Sequence, residues 1–161
     1  MKELKYIPIG IIHSRFKEPK GTPIQTTAAL GVEGSVEVFP EYLEGLKDLE
    51  GFSHIVLLYH FHLSKDAQLT VVPYMDDRPH GVFATRAPAR PNPIGMSVVR
   101  LVAVKDNVLS ILDVDIVDGT PLLDIKPYTS DFDDREILRK GWLEDKVKKL
   151  PATKDDGRFH K

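Results

Sequence analysis

The chain has 161 residues, a formal net charge of −2 and no cysteine. Its length fits one domain over residues 1–161, which we expect to comprise a core over 4–130 and a helical tail over 131–161. The absence of cysteine excludes a disulfide framework and a thiol nucleophile, and the near-neutral charge argues against a strongly basic nucleic-acid binder. The sequence contains no signal peptide and no apolar run of membrane-spanning length, so a cytoplasmic protein without a membrane partner is expected.

Short apolar runs rich in valine and isoleucine predict strands. In chain order these runs are 6–14, 34–39, 54–61, 69–72, 82–85, 96–104, 108–117 and 122–125. Pro8 predicts an edge position or a late start for the first strand. Asp106 and Asn107 predict a two-residue hairpin turn between the sixth and seventh strands.

Two helices are predicted, a short one over 41–49 after the second strand and a C-terminal one over 134–150. Asp133 or Asp134 can cap the second helix, and Gly141 is expected to interrupt it. The strands do not alternate regularly with helices, which favours a mainly β fold, a compact antiparallel barrel or sandwich. Neither a G-x-G-x-x-G motif nor a P-loop occurs, so a Rossmann cradle is not predicted.

The stretch ATRAPARPNPIGMS, residues 84–97, is unusually rigid. Pro88, Pro91 and Pro93 fix their own backbone and restrict the residues before them. Arg86, Arg90 and Asn92 therefore project from a loop with few conformations, which suits a preorganised site for an anionic or polar ligand. A structural crossover with solvated arginines is the alternative interpretation.

Four aspartates lie within twelve residues in the stretch 111–128. Asp113 and Asp115 are two apart on a predicted strand and are expected to share its face. Carboxylates on an otherwise apolar face are costly unless partnered, so a function is favoured here. Asp118 is expected in a turn with Gly119, and Asp124 and Lys126 are expected to share a face of the next strand. An Asx-turn at Asp118 and a surface pair of Asp124 with Lys126 are the structural alternative.

Two other segments give weaker indications of a functional site. His60 and His62 are predicted on one face of a strand, but no third ligand has recognisable spacing, so we predict hydrogen bonding and no metal site. The loop PIQTTA, residues 23–28, offers an amide and two hydroxyl groups for hydrogen bonds.

In this order the segments resemble a known family. The strings IGIIHS, PIQ, FSHIVLLYHFH, GVFATRAPARPNPIGMSVVRL and DIVDGTPLLDIKPY are similar to those of the TrmO-type, TsaA-like methyltransferases over about residues 9–128. The resemblance implies a homodimeric β-barrel that uses S-adenosylmethionine to methylate N6 of threonylcarbamoyl-adenosine next to the anticodon of tRNA.

The resemblance also implies a set of cofactor contacts, which by position in this sequence are Thr26, Thr27, Ala28, His62, Leu63, Arg86, Met96, Leu112, Asp113, Val114 and Asp115. The family often has T-R-S-P where this chain has Thr85-Arg86-Ala87-Pro88, and bacterial members often have P-R-Q where it has Pro23-Ile24-Gln25. A hydroxyl and a basic residue are therefore missing, which bears more on the substrate than on the cofactor.

The implied reaction suggests roles for the polar residues. The target nitrogen is a poor nucleophile until it loses its proton, so a general base is expected, with Asp118 as first candidate and His62 as second. Arg86, Arg90 and Lys126 are candidates for holding phosphates or the threonyl carboxylate, Asn92 for reading a base edge, and Tyr128 for the RNA side of the site.

Two other classes of function stay open. A barrel that binds the cofactor or a related nucleotide without transferring a group is one alternative, which the short C-terminus and the near-neutral charge support. A metal-dependent hydrolase built on the two histidines and the aspartates is the other.

Overall fold

Six of the eight strands close into an antiparallel barrel. The structure is a computed structural model that describes residues 1–161. The strands are β1 Gly10–Ser14, β2 Glu33–Val38, β3 His54–His60, β4 Thr70–Val71, β5 His80–Gly81, β6 Ile94–Lys105, β7 Val108–Leu112 and β8 Thr120–Tyr128. The barrel order is β1–β2–β7–β6–β3–β8, with β8 returning to pair with β1, and β4 pairs with β5 in a separate two-stranded ribbon. The mainly β, non-Rossmann prediction is confirmed.

The barrel interior follows from alternation along the strands. In β3 the side chains of Ile55, Leu57 and Tyr59 point inward, and the residues between them are only partly buried. The facing strand β6 contributes Ser97 and Val99 to the same interior. Because alternate residues of a strand face opposite sides, the outer side of β6 is left to line a surface cleft.

Strand ends depart from the sequence prediction where the backbone leaves the extended region. β1 begins at Gly10, which confirms the late start expected from Pro8. β7 ends at Leu112, because Asp113 takes a positive φ of 73° that a strand cannot accommodate. The predicted strand over 82–85 is wrong, since the segment forms a 3₁₀ helix, Val82–Ala84, closed by the Thr85 hydroxyl on the Val82 carbonyl at 2.8 Å.

The prediction of a C-terminal helix over 134–150 is also wrong. A single α-helical turn, α1, covers Ser130–Asp133, and short 3₁₀ helices cover Gly141–Leu143 and Val147–Ala152. Ile137 and Leu138 are exposed, so no apolar face supports a longer helix, and Gly141 has a positive φ of 58°. Isolated helices need such packing to persist.

The predicted short helix after β2 is present, but as 3₁₀ helix. The segments Pro40–Leu46 and Leu49–Gly51 are 3₁₀ helices, separated by Asp48 at a φ of 67°. No helix of the structure is both long and apolar enough to span a bilayer.

A second, smaller apolar cluster lies outside the barrel. It joins Val71 and Val82 near the ribbon to Ala87 and Ala89 of the proline-rich loop and to Phe159 near the C-terminus. Lys154 and His160 form isolated β-bridges with Pro23 and Ser64. The C-terminal residues are therefore packed beneath the proline-rich loop of residues 84–97.

Candidate functional site

A large cavity of about 1320 Å³ collects most of the predicted site residues. Its walls come from the 22–30 segment, the end of β3, the proline-rich loop, the outer side of β6 and the C-terminal segment. Such a volume exceeds the roughly 300–1,000 Å³ of a typical small-molecule pocket. The predicted residues that line it are Thr26, Thr27, His62, Leu63, Arg86, Arg90, Asn92, Met96, Asp113, Asp115 and Tyr128.

Five of the predicted site residues do not line the cavity: Ala28, Leu112, Val114, Asp118 and Lys126. The side chain of Val114 is fully buried in the barrel core, where it packs close to Gly34. Lys126 lies on the exposed outer side of β8 and pairs with Asp124 at 2.8 Å, which is the structural alternative given for this pair.

The proline-rich loop is held by more than its prolines. The main-chain N–H of Gln68 donates to the Ala89 carbonyl at 3.1 Å, and that of Phe61 donates to the Pro93 carbonyl at 2.8 Å. Ala87 and Ala89 are buried beneath the loop in the second cluster. These contacts join the loop to the end of β3 and to the segment before β4, and the loop forms one wall of the cavity.

The two loop arginines have different surroundings. The Arg86 guanidinium is exposed and donates one hydrogen bond, to Gln25 Oε1 at 2.9 Å, so its other N–H groups face the cavity mouth without a protein acceptor. Arg90 turns back on its own loop, where Nη1 donates to the carbonyls of Thr85 at 3.0 Å and Ala87 at 3.3 Å. Arg90 therefore stabilises the loop, while Arg86 is the loop arginine with unpaired N–H groups at the cavity.

Asp113 and Asp115 do not share a strand face, and that prediction is wrong. The left-handed turn at Asp113 separates them. The Asp113 carboxylate accepts two hydrogen bonds from Arg100, at 2.7 Å each, and a third from the Gly31 N–H at 2.8 Å. Arg100 holds the pKa of Asp113 below its usual range, so this carboxylate is a fixed, ionised structural clamp.

Asp115 is instead the end of a hydrogen-bonded chain. Ser97 Oγ donates to Asp115 Oδ1 at 2.6 Å and lies 2.9 Å from the Tyr59 hydroxyl. Asp115 forms no ion pair, and burial raises its pKa to about 6. Burial, reinforced by the Asp115 charge, also raises the pKa of Tyr59, which stays a neutral hydrogen-bond donor or acceptor.

The position of Asp118 does not support the role of general base predicted for it. Its carboxylate accepts from Lys17 Nζ at 2.7 Å and from the Ser14 N–H at 3.0 Å, on the side of the barrel that does not line the cavity. Lys17 holds the pKa of Asp118 below its usual value. The predicted Asp118–Gly119 turn is present, with Gly119 at a φ of 80°.

The histidines are placed at the end of β3 and beyond it. The strand ends at His60, and His62 lies in the following turn, where its N–H donates to the His60 carbonyl at 2.8 Å, so the two do not share a strand face. Burial, together with the neighbouring His60, lowers the pKa of His62. No group of three or more His, Cys, Asp or Glu side chains is arranged to hold a metal ion.

The C-terminal wall of the cavity was not predicted from the sequence. Trp142, Leu143, Val147 and Leu150 line it from a segment that was expected to be a separate helix. The Trp142 indole N–H donates to the Ala84 carbonyl at 2.8 Å, and its ring stacks on His80 at 4.9 Å between centroids. The available signal was the single tryptophan of the chain in an otherwise highly charged tail.

Two buried polar atoms at the cavity have no hydrogen-bond partner within the protein. They are the Tyr74 hydroxyl and His160 Nδ1. Buried polar groups are almost always satisfied. Burial and the neighbouring Asp155 carboxylate raise the pKa of Tyr74, so its hydroxyl already has an acceptor beside it, and His160 Nδ1 is the atom that fits a ligand with polar groups of its own.

Comparisons with known proteins agree with this architecture. A family model described as the tRNA-methyltransferase O N-terminal domain matches residues 11–134. A probable S-adenosyl-L-methionine-binding protein of Pyrococcus abyssi is 68% identical over 96% of this chain and 84% of its own length. The tRNA (adenine(37)-N6)-methyltransferase of Mus musculus is 38% identical over 81% of this chain and 32% of its own length.

A solved structure shares both the sequence pattern and the fold. The crystal structure of TrmO from Pseudomonas aeruginosa superposes with a TM-score of 0.73 at 38% identity, covering 88% of this chain and 63% of that chain. This chain therefore spans less than two thirds of the solved protein. Because the family model covers most of the sequence and the barrel is shared, the chain belongs to the tRNA-methyltransferase O N-terminal domain family.

Proposed function

We propose that the chain is an S-adenosylmethionine-dependent methyltransferase that acts on N6 of threonylcarbamoyl-adenosine next to the anticodon of tRNA. The observation that carries this proposal is the single cavity that joins Arg86, Met96 and Asp115. The printed names of the relatives support it, since one is called a tRNA (adenine(37)-N6)-methyltransferase and another an S-adenosyl-L-methionine-binding protein.

The cavity residues fit this cofactor. The volume accommodates a nucleoside-sized ligand together with part of a second one. The unpartnered His160 Nδ1 suits its ribose or amino-acid groups. Eight predicted cofactor contacts line the cavity, and of these Thr26, Thr27, His62, Leu63, Arg86 and Met96 would hold the cofactor, beside Asp113 and Asp115. When bound, the cofactor supplies an electrophilic methyl group.

The wall of the cavity explains how a cationic methyl donor can be held without being over-stabilised. Transfer removes the positive charge of the sulfonium, so a carboxylate pressed against it would favour the ground state. Met96 is 46% exposed on the outer side of β6 and offers an apolar surface. The Asp113 carboxylate is already neutralised by Arg100 and does not compete for the cation.

On the RNA side, Arg86 is the proposed contact for a phosphate or the threonyl carboxylate. Asn92 lies exposed at the rim, and Tyr128 lines the cavity beside His54, with ring centroids 6.0 Å apart. Lys126, outside the cavity, is proposed to meet more distant phosphates. If Arg86 contacts one phosphate, Arg86→Ala should reduce the slope of log K against log salt by about 0.7–0.9.

The decisive experiment incubates the protein with the cofactor and with tRNA that carries or lacks the threonylcarbamoyl group, followed by mass analysis of the nucleosides. A methyl gain on threonylcarbamoyl-adenosine alone supports the proposal. Calorimetry with the cofactor is run in parallel. Cofactor binding without a methyl gain on any tRNA pool would instead support a binding barrel that performs no transfer.

We also propose that the protein works as a cytoplasmic homodimer. Large apolar side chains such as Leu30 and Phe83 are exposed beside the cavity, and a partner subunit would cover such groups. Sedimentation equilibrium tests this proposal, and a monomer at micromolar concentration would contradict it.

A further inference from the structure

We propose that Asp115 accepts the proton of the nitrogen that is methylated, and that Ser97 and Tyr59 position its carboxylate. This inference rests on the proposed methyltransferase function. Asp115 takes the place of Asp118 as the proposed general base, because Asp118 lies outside the cavity and accepts a hydrogen bond from Lys17. Asp115 lines the cavity that also holds Arg86 and Met96.

The inference follows from comparing the three carboxylates that line the cavity. Asp113 accepts two hydrogen bonds from Arg100, and Asp155 accepts from His160 Nε2 at 2.7 Å. Asp115 accepts a single side-chain hydrogen bond, from Ser97, and forms no ion pair. It is therefore the one cavity carboxylate that no arginine or histidine side chain holds by a hydrogen bond.

The surroundings of Asp115 tune it for this task. Burial is the main cause of its raised pKa of about 6, while the Ser97 hydrogen bond and the nearby Arg86 charge oppose the rise. Tyr59, from the facing strand, is the other titratable group beside it and stays neutral. A base with a pKa close to the working pH combines a high ionised fraction with a useful proton affinity.

The hydrogen-bonded chain fixes which oxygen is free. Ser97 Oγ has one proton, and at 2.6 Å from Asp115 Oδ1 it donates that proton to the carboxylate. Tyr59 then donates to Ser97 Oγ at 2.9 Å. Both donors are held by barrel strands, so Oδ1 is occupied and Oδ2 is left to take a proton from a ligand.

The proton balance of the step is complete. Asp115 Oδ2 takes the N–H proton of the substrate while that nitrogen gains the methyl group and the carbon–sulfur bond of the donor breaks. The donor loses its positive charge, and the carboxylate becomes a neutral acid. Release of that proton to water restores the site for the next reaction.

Asp115→Asn tests the proposal most directly. The variant keeps the side-chain shape and an acceptor for Ser97 but cannot take a proton. We expect single-turnover methyl transfer to fall by about 100-fold or more, as for loss of a general base, with cofactor binding retained in calorimetry. Asp106→Asn is the matched control, because it removes the same charge at an exposed hairpin turn outside the cavity and asparagine tolerates the φ of 53° there.

Ser97→Ala tests whether Ser97 positions the Asp115 carboxylate for proton transfer or only stabilises the fold. It removes the hydrogen bond that stabilises the ionised carboxylate, so the rate of transfer should reach half its maximum at a higher pH than in the wild-type protein. Carbon-13 NMR of the free protein gives a readout that needs no cofactor. The Asp115 carboxyl should titrate near pH 6 in the wild type and at higher pH in Ser97→Ala.

Three outcomes overturn the inference. One is a rate within about twofold of wild type in a folded Asp115→Asn variant, where loss of a base predicts a far larger effect. Another is an unchanged pH profile in Ser97→Ala. The third is a rate of methyl transfer that loses its pH dependence in His62→Gln but keeps it in Asp115→Asn, which would make His62 the acceptor of the substrate proton. No methyl gain with wild-type protein overturns the proposed function and this inference together, whereas transfer that survives in Asp115→Asn overturns only the inference.

Discussion

Asp115→Asn should stabilise the protein at neutral pH, although it is expected to abolish most of its activity. Burial raises the pKa of Asp115 from 3.8 to about 6, so the ionised carboxylate is disfavoured in the folded protein relative to the unfolded chain. Below about pH 4 the group is protonated in both states and contributes nothing. Between about pH 4 and pH 6 the unfolded chain ionises this group while the folded protein keeps it protonated, so a cost builds up that levels off at about 3 kcal/mol, at 1.36 kcal/mol per pKa unit.

Urea unfolding of wild type and variant at about pH 4, 6 and 8 measures this effect. The free energy of unfolding of Asp115→Asn minus that of wild type should grow with pH and level off above about pH 7. The difference between variant and wild type is the useful quantity, because other carboxylates also make unfolding depend on pH. Asp113 and Asp118 have lowered pKa values, so each stabilises both proteins as the pH rises through the acidic range. Asp106→Asn should show no such growth. A difference that stays constant with pH would refute the assignment of Asp115 as a buried acid of raised pKa.

Three further substitutions test the framework around the cavity. Gly95→Ala should cost about 1–3 kcal/mol of unfolding free energy, because the added methyl would overlap the Tyr59 ring; an unchanged urea midpoint would contradict this packing. Asp113→Ala should cost about 2 kcal/mol at pH 7, since it leaves the Gly31 N–H without its acceptor, and the cost should shrink as the pH falls below about 4 because the pKa of this group is lowered. Trp142→Phe should cost about 1 kcal/mol and increase proteolysis of the C-terminal segment, because phenylalanine cannot donate to the carbonyl it faces; equal proteolysis rates would show that this bond does not hold the segment.

The strands were predictable because their signal is local. Alternating side chains in β3 and the turn at Asp106–Asn107 are properties of a few adjacent residues, and both are present. The C-terminal helix failed because helix stability depends on a partner surface. The exposed side chains of Ile137 and Leu138 show that the fold provides none, and no pattern within the segment contains that information.

The site was predictable as a group of segments but not as a set of roles. The proline-rich loop could be identified as a preorganised wall from its composition, and Arg86 and Met96 do line one cavity with Asp115. The inward turn of Arg90 depends on the loop's own carbonyls, and the C-terminal wall depends on Trp142 crossing to Ala84. Both are contacts between groups whose relative positions only the folded chain defines.

The three aspartates between residues 113 and 118 show how the fold separates groups of the same chemistry. The left-handed backbone at Asp113 ends β7 and directs its carboxylate to Arg100. Two residues later the chain has turned, so Asp115, which lines the cavity, reaches Ser97 inside the barrel, and Asp118 lies beside Lys17. Two carboxylates gain a cation and lose proton affinity, while the third is buried without one and gains it. Because that difference arises from one backbone angle, a residue at 113 that rejects a positive φ should disturb Asp115 as well as the clamp to Arg100.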